Sequence, residues 1–159
     1  MDIFSRDVIA SNLCLIIPNA TLYHFGILTS LMHMDWMRYV CGRLKSDYRY
    51  SNTLVYNNFP WPAAPSDAQV KAIEEKAQAV LDARAQFPNS TLADLYDPLT
   101  MPPPLLKAHQ ALDKAVDVAY RKAAFTSERE RIEYLFTLYQ QLTAPLIAPD
   151  KKKRTRKQA

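Results

Sequence analysis

Glycine is nearly missing from this sequence: Gly26 and Gly42 are the only two in 159 residues. Backbone cradles for phosphates, dinucleotides or S-adenosylmethionine need several, because a residue without Cβ lets the main chain approach a ligand closely. The sequence therefore argues against a complete nucleotide, S-adenosylmethionine or P-loop site. Cysteine is equally scarce. Cys14 and Cys41 lie far apart with no second pair, which indicates neither a zinc site nor a disulfide framework and fits a reduced, cytoplasmic protein. No run approaches the roughly 20 apolar residues of a membrane span, so no membrane partner is expected. Residues 1–12 lack the charged start and apolar core of a signal peptide.

A basic body is missing too. Lys151, Lys152, Lys153, Arg154, Arg156 and Lys157 all fall at the C-terminus, and taking those six from the net charge of +4 leaves the rest at −2. Any contact with nucleic acid must then come from local patches. The basic stretch 149–159 reads as a solvated, disordered tail, and contact with phosphates is its alternative role. What is present is apolar content of 48% against 23% charged residues, enough for a folded core.

Residues 8–17, VIASNLCLII, are apolar and β-branched and stop at Pro18-Asn19, the pattern of a buried strand entering a turn. A lone strand cannot satisfy its edges, so its sheet is expected upstream. From Thr21 to about Cys41, Leu22, Phe25, Leu28, Met32, Trp36 and Tyr39 recur at helical spacing, predicting one long helix closed by Gly42. The stripe Met32, Met34, Trp36 and Met37 reads as core packing. His24 and His33 are nine residues apart, not the four of a ligand pair on one helix face, and read as structural.

Residues 43–59 predict a loop and then a short strand at 48–57, ending at the stiff Pro60-Trp61-Pro62. Beyond it the pattern is helical. Ser66-Asp67-Ala68-Gln69 and Ser127-Glu128-Arg129-Glu130 read as capping boxes. Thr91 to Tyr96 predicts a short turn of helix, and Leu105 to Ala123 a helix with Pro104 in its first turn. The expected fold is mainly α: a helical bundle with a small β contribution at residues 8–17 and 48–57. Its expected divisions are 1–62, 63–148 and the tail.

The stretch Arg43 to Asn58 is the one with chemistry to offer. Arg43, Lys45 and Arg49 supply cations, Asp47 a carboxylate, and Ser46, Asn52, Asn57 and Asn58 short hydrogen-bonding groups. Cations hold phosphates, whereas a lysine beside a carboxylate can read a base pair, Lys on guanine O6 and N7 and Asp accepting from cytosine N4. On composition alone a solvated hairpin with a surface ion pair fits as well.

The run HMDWMRYVCGRLKSDYRYSNTLVYNNFPWP, with the preceding IPNATLYHFGILTS, resembles the C-terminal region of MmeI-like type IIL restriction-modification proteins and related adenine-specific DNA methyltransferases. The resemblance spans residues 8–147 and is most specific over 21–62. It implies that GRLxSxxRYS reads DNA, with Lys45 and Asp47 as the charge pair that sets one base pair. Arg43, Arg49, Ser51 and Asn52 would be the contacts to the DNA backbone. Double-stranded DNA and upstream methyltransferase and recognition domains are the implied partners, and S-adenosylmethionine and magnesium the cofactors of the intact protein.

The sequence departs from that family's catalytic parts. An Asn/Asp-Pro-Pro-Tyr/Phe motif, which would hold a target base's amino group, is missing. Asn57-Asn58-Phe59-Pro60 has similar letters in the wrong order. No catalytic centre, cofactor site or metal site is therefore expected in this chain. The competing class is a helical protein-interaction module, which predicts self-association through exposed apolar surface. A stand-alone enzyme is the weakest alternative, since Asp94, Asp97, Glu128, Glu130 and Glu133 read as helix-end and surface charges.

Overall fold

The computed structural model describes residues 2–4, 7–11, 14–45 and 47–147; Ser46 and the basic tail lie outside them. The fold is mainly α, with one small antiparallel sheet among the described residues. Helix α1 (Leu22–Thr29) begins at Thr21, whose hydroxyl caps the first turn while its own N–H donates to His24 Nδ1 at 3.2 Å. His24 is thus part of a capping box, a structural role as expected.

The single helix predicted over 21–41 is instead two. At Ser30 the chain turns: the Ser30 N–H and hydroxyl both donate back to Ile27 O, at 3.2 and 2.7 Å. Helix α2 (Leu31–Val40) starts afresh, and its first amide donates to Asp113 Oδ1 at 2.8 Å. A carboxylate distant in sequence serves the helix start where the uncapped Ser30 side chain does not.

The strand expected at 8–17 is not formed. Its described residues have no regular structure, and Val8, Ile9, Leu15 and Ile16 are exposed. A strand exists by pairing, and no partner strand stands beside these residues among those described. The strand expected at 48–57 is also replaced. A hairpin of β1 (Gly42–Leu44) and β2 (Asp47–Arg49) is followed by a π-helical turn, Asn52–Tyr56, because Tyr50 and Val55 are drawn inward toward α2.

Helix α3 (Asp67–Ala85) has the predicted box, Ser66 and Gln69 capping each other. Helix α4 (Leu92–Leu95) is the predicted short turn, capped by Thr91 and Asp94. Helix α5 (Pro103–Tyr120) carries its prolines in the first turn, where their missing amides are not needed. It stops before Ala123 because the Arg121 guanidinium folds over and donates to Ala123 O and Ala124 O. Helix α6 (Glu128–Ile147) has only half the predicted box. Ser127 accepts from Glu130 N at 3.2 Å, but the Glu130 carboxylate accepts from Thr126 N and from Arg121.

Phe25 and Ile27 of α1, Trp36 of α2, Ile73 and Val80 of α3, Leu112 and Val116 of α5 and Leu135 of α6 belong to one buried cluster. The helices approach closely at Gly26, where a Cβ would lie 2.7 Å from Ile73 Cγ2 and 3.3 Å from both Ala77 Cβ and Leu112 Cδ1. The lack of a side chain there is what lets α1 rest on α3 and α5. Met32 and Met37 are buried and Met34 packs against the cluster, so the methionine stripe is core. Trp61 packs edge-on to His24, Tyr56 and Phe59, and Tyr120 donates its hydroxyl to Pro60 O at 3.0 Å.

Candidate nucleic-acid interface

The hairpin pairs Gly42 with Arg49, Arg43 with Tyr48 and Leu44 with Asp47, and Lys45 follows β1 in its turn. Every residue of both strands is exposed. Lys45 sits at the tip with φ 56°, in the left-handed region where asparagine or glycine is the usual occupant of such loops. Side chains alternate along a strand, so Asp47 and Arg49 share one face and Tyr48 takes the other. On that second face the Arg43 guanidinium lies 4.3 Å from the Tyr48 ring centre and donates to its hydroxyl at 3.2 Å.

The structure thus puts Lys45 in the exposed turn and Asp47 at the first position of β2, puts Arg49 on the Asp47 face, and turns Arg43 toward Tyr48. Ser51 and Asn52 stand at the base instead. Ser51 Oγ accepts from Leu54 N at 3.4 Å and bonds the Thr53 hydroxyl at 2.8 Å, while Asn52 Oδ1 accepts from Thr53 N at 2.9 Å. Both side chains start the π turn, and Asn58 closes it by donating to Thr53 O and Leu54 O.

Helix α2 holds the base of the hairpin on one side. The chain runs from its C-cap, Cys41, directly into β1. The returning chain is caught twice: His33 Nε2 and the Tyr50 hydroxyl share a hydrogen bond at 3.1 Å, and Trp36 Nε1 donates to Val55 O at 3.1 Å. His33 is 1% exposed and meets Phe59 edge-on, ring centres 4.6 Å apart. Burial holds its pKa down at about 4, so it is neutral near pH 7. Its Nδ1 is buried without a hydrogen-bond partner, which further disfavours a second ring proton.

The other side of α2 is fixed to α5 and α6 by charge. Buried Asp35 accepts from Arg38 at 3.1 Å and lies 3.6 Å from Arg131, which forks onto both oxygens of Asp117 at 3.0 and 2.8 Å. Burial, then the nearby Glu128 carboxylate, push Asp35 up to about 6 against the pull of Arg131 and Arg38. Asp113, bonded to Leu31 N, is likewise raised to about 6, first by burial. His33, Trp36 and Tyr50 are the residues that sequence reading placed in core or loop without this role. The only signal was the three-residue spacing of His33 and Trp36, which puts them on one helix face.

Elsewhere, Tyr96 is bonded by Arg84 Nε at 2.8 Å and by His109 Nε2 at 2.6 Å, tying α4 to α3 and α5. A pocket of about 530 Å³ lies between the start of α2, α5 and the α5–α6 connection, with Asp113, Asp117, Arg121 and Arg131 on its wall. Among the described residues, no group of three His, Cys, Asp or Glu is placed to hold a metal ion, and no helix is long and apolar enough to cross a membrane. The residues present do not fit S-adenosylmethionine. Gly26 is committed to helix packing and Gly42 stands in an open strand, so neither cradles a ligand.

Comparison with known proteins places this architecture among DNA restriction-modification proteins. A family model described as the target recognition domain of MmeI matches residues 1–63, and one described as the C-terminal domain of MmeI matches residues 64–147, just over half of the chain. The chain belongs to the MmeI family. It is 48% identical over 143 residues to DNA methyltransferase A of Bacillus subtilis (strain 168), a match covering 90% of this chain and 16% of that protein. It is also similar to a solved structure of the type IIL restriction-modification enzyme MmeI in complex with DNA. That match has 56% identity and a TM-score of 0.77, and covers 80% of this chain and 17% of the other. The chain therefore spans about one sixth of the length of each of these relatives.

Proposed function

We propose that the chain is the DNA target-recognition and accessory segment of a DNA (adenine-N6) methyltransferase or restriction-modification protein, without a catalytic centre of its own. The hairpin carries this reading: Lys45 at φ 56° and Asp47 beside it, exposed at the tip of a ribbon. A left-handed lysine costs on the order of 1 kcal/mol, a cost that asparagine or glycine would lessen. The ammonium it presents is a reason for keeping it. A two-stranded ribbon fits the major groove, where Lys45 donates to guanine O6 and N7 and Asp47 accepts from cytosine N4. Arg43, Arg49, Ser51 and Asn52 hold phosphates and fix the register.

Methyl transfer with S-adenosylmethionine, and cleavage with magnesium, belong to other domains of a longer cytoplasmic protein. Residues 1–62 contribute to recognition and 63–148 form the helical part. The solved MmeI relative was in complex with DNA, which supports double-stranded DNA as the partner. Exposed Phe4, Ile9, Leu15 and Ile16 favour, as a second reading, a module that packs on other domains or subunits. Sedimentation that shows self-association, with no DNA bound, would select that reading.

The test is selection from a randomised duplex pool by this chain and by Lys45→Glu/Asp47→Arg, with the bound fraction sequenced. The expected result is that one guanine–cytosine preference inverts. An unchanged preference rejects the base-reading assignment.

A further inference from the structure

We propose that His33 and Tyr50 are positioning residues, through which the helical bundle fixes the angle at which the hairpin presents Lys45 and Asp47; the consequence for base choice rests on the function proposed above. The hairpin has no core of its own, since all its strand residues are exposed. Three strand pairs alone make a marginal structure in water, so its direction must be set at its two ends. The incoming end is continuous with α2. The outgoing end has the Tyr50 hydroxyl on His33 Nε2, and the chain is held again at Val55 by the Trp36 indole. His33 lies eight residues before Cys41, about 12 Å down the helix. The two ends of the ribbon are therefore braced against separate points on one rigid rod.

That rod is itself immobile because its opposite face is bound to α5 and α6. Asp35 faces Arg38 from its own helix, Arg131 and Glu128 from α6 and Asp117 from α5, and Leu31 N is held by Asp113. Trp36, on the hairpin side of α2, also meets Phe136 and Tyr139 of α6 at tilted ring angles, ring centres 5.3 and 5.9 Å apart. Load therefore passes from α5 and α6 through α2 to the hairpin. His33 suits this place because it is neutral and shielded, so the bond to Tyr50 persists across the pH range in which an exposed imidazole would change charge.

The test uses the full chain with Tyr50→Phe, which removes the hydroxyl and keeps the ring. Backbone ¹⁵N relaxation is measured for amides 42–49 and for α3 and α5, alongside selection from the randomised duplex pool and total affinity for mixed-sequence duplex. The order parameters of 42–49 are expected to fall toward about 0.6 while those of α3 and α5 stay near about 0.85. The preference at the Lys45/Asp47 base pair is expected to drop about threefold to tenfold, the worth of one ordinary hydrogen bond, with total affinity unchanged. His33→Leu should reproduce this, and His33→Gln, which again offers a polar group to Tyr50, should restore part of it. Hairpin order unchanged in Tyr50→Phe overturns the brace. Order lost with preference intact overturns its role in reading. If the parent chain shows no base preference, the proposed function fails, and the relaxation result still decides the brace.

Discussion

The two glycines mark two regions built to opposite rules. Around Gly26 there is no room: Ile73, Ala77 and Leu112 crowd the place where a Cβ would be, and the neighbouring Ile27 is fully buried. A Cβ on Gly42 would meet nothing within 4 Å, and the strands of its hairpin are exposed throughout. In the first region close packing makes each atom matter to stability. In the second, stability hardly notices the side chains, and what they present outward is what counts. Helix α2 is the piece that belongs to both.

Perturbations should separate the two regions in order of size. Arg131→Met leaves Asp117 without its fork and Asp35 with only Arg38, so a loss of about 4 kcal/mol is expected, read as a fall in urea midpoint. Acid should act next. His33 is held near 4 in the fold, so between about 6.5 and 4 the unfolded chain takes up a proton that the folded chain refuses. That contribution, about 3 kcal/mol, is complete above 6.5 and is lost as pH falls. Asp35 and Asp113, raised to about 6, act with the reverse sign, since stability from them is full below the ordinary carboxylate range and is lost as pH rises through 6. Asp35→Asn should therefore steepen the decline of urea midpoint from pH 6 to 4, and His33→Phe should flatten it.

Gly26→Ala places a methyl against Ile73 and should cost about 2 kcal/mol despite the better helix propensity of alanine, visible as a lower Tm. Lys45→Gly should relieve the left-handed tip by about 1 kcal/mol, so the hairpin becomes better formed by NMR while the base preference proposed above disappears. Gly42→Ala should shift the urea midpoint least, within about 0.5 kcal/mol. A large effect of Gly42→Ala, or a small one of Gly26→Ala, would break the contrast between the regions.

Helices α3 and α5 could be read from the sequence because their signals are local: Ser66 and Gln69 cap each other, and Leu105, Leu112 and Val116 repeat at helical spacing. The break at Ser30 could not. Leu22 to Tyr39 is periodic without interruption, and the acceptor that starts α2 comes from Asp113, on another helix. The π turn was read as strand for the same reason, since Tyr50 and Val55 are placed by His33 and Trp36 across the fold. Residues 8–17 carry strand letters, but a ladder requires a neighbour that local pattern does not supply. At the site, composition marked Lys45 beside Asp47 within residues 43–58, yet it could not select base reading over a solvated ion pair. That selection came from a family resemblance, and the hairpin register then placed both at the tip.

The exposure of residues 42–45 and 47–49 bears on how such a chain changes over time. A segment with no side chain in the core can exchange lysine for glutamate, or aspartate for arginine, with the folded population almost unaffected. Substitutions that would be purged elsewhere for unfolding the protein survive here, and are sorted only by what the new surface fits. The rigid bundle thereby gives the hairpin a wide neutral space, in which new surface chemistry can be sampled by one or two codon changes.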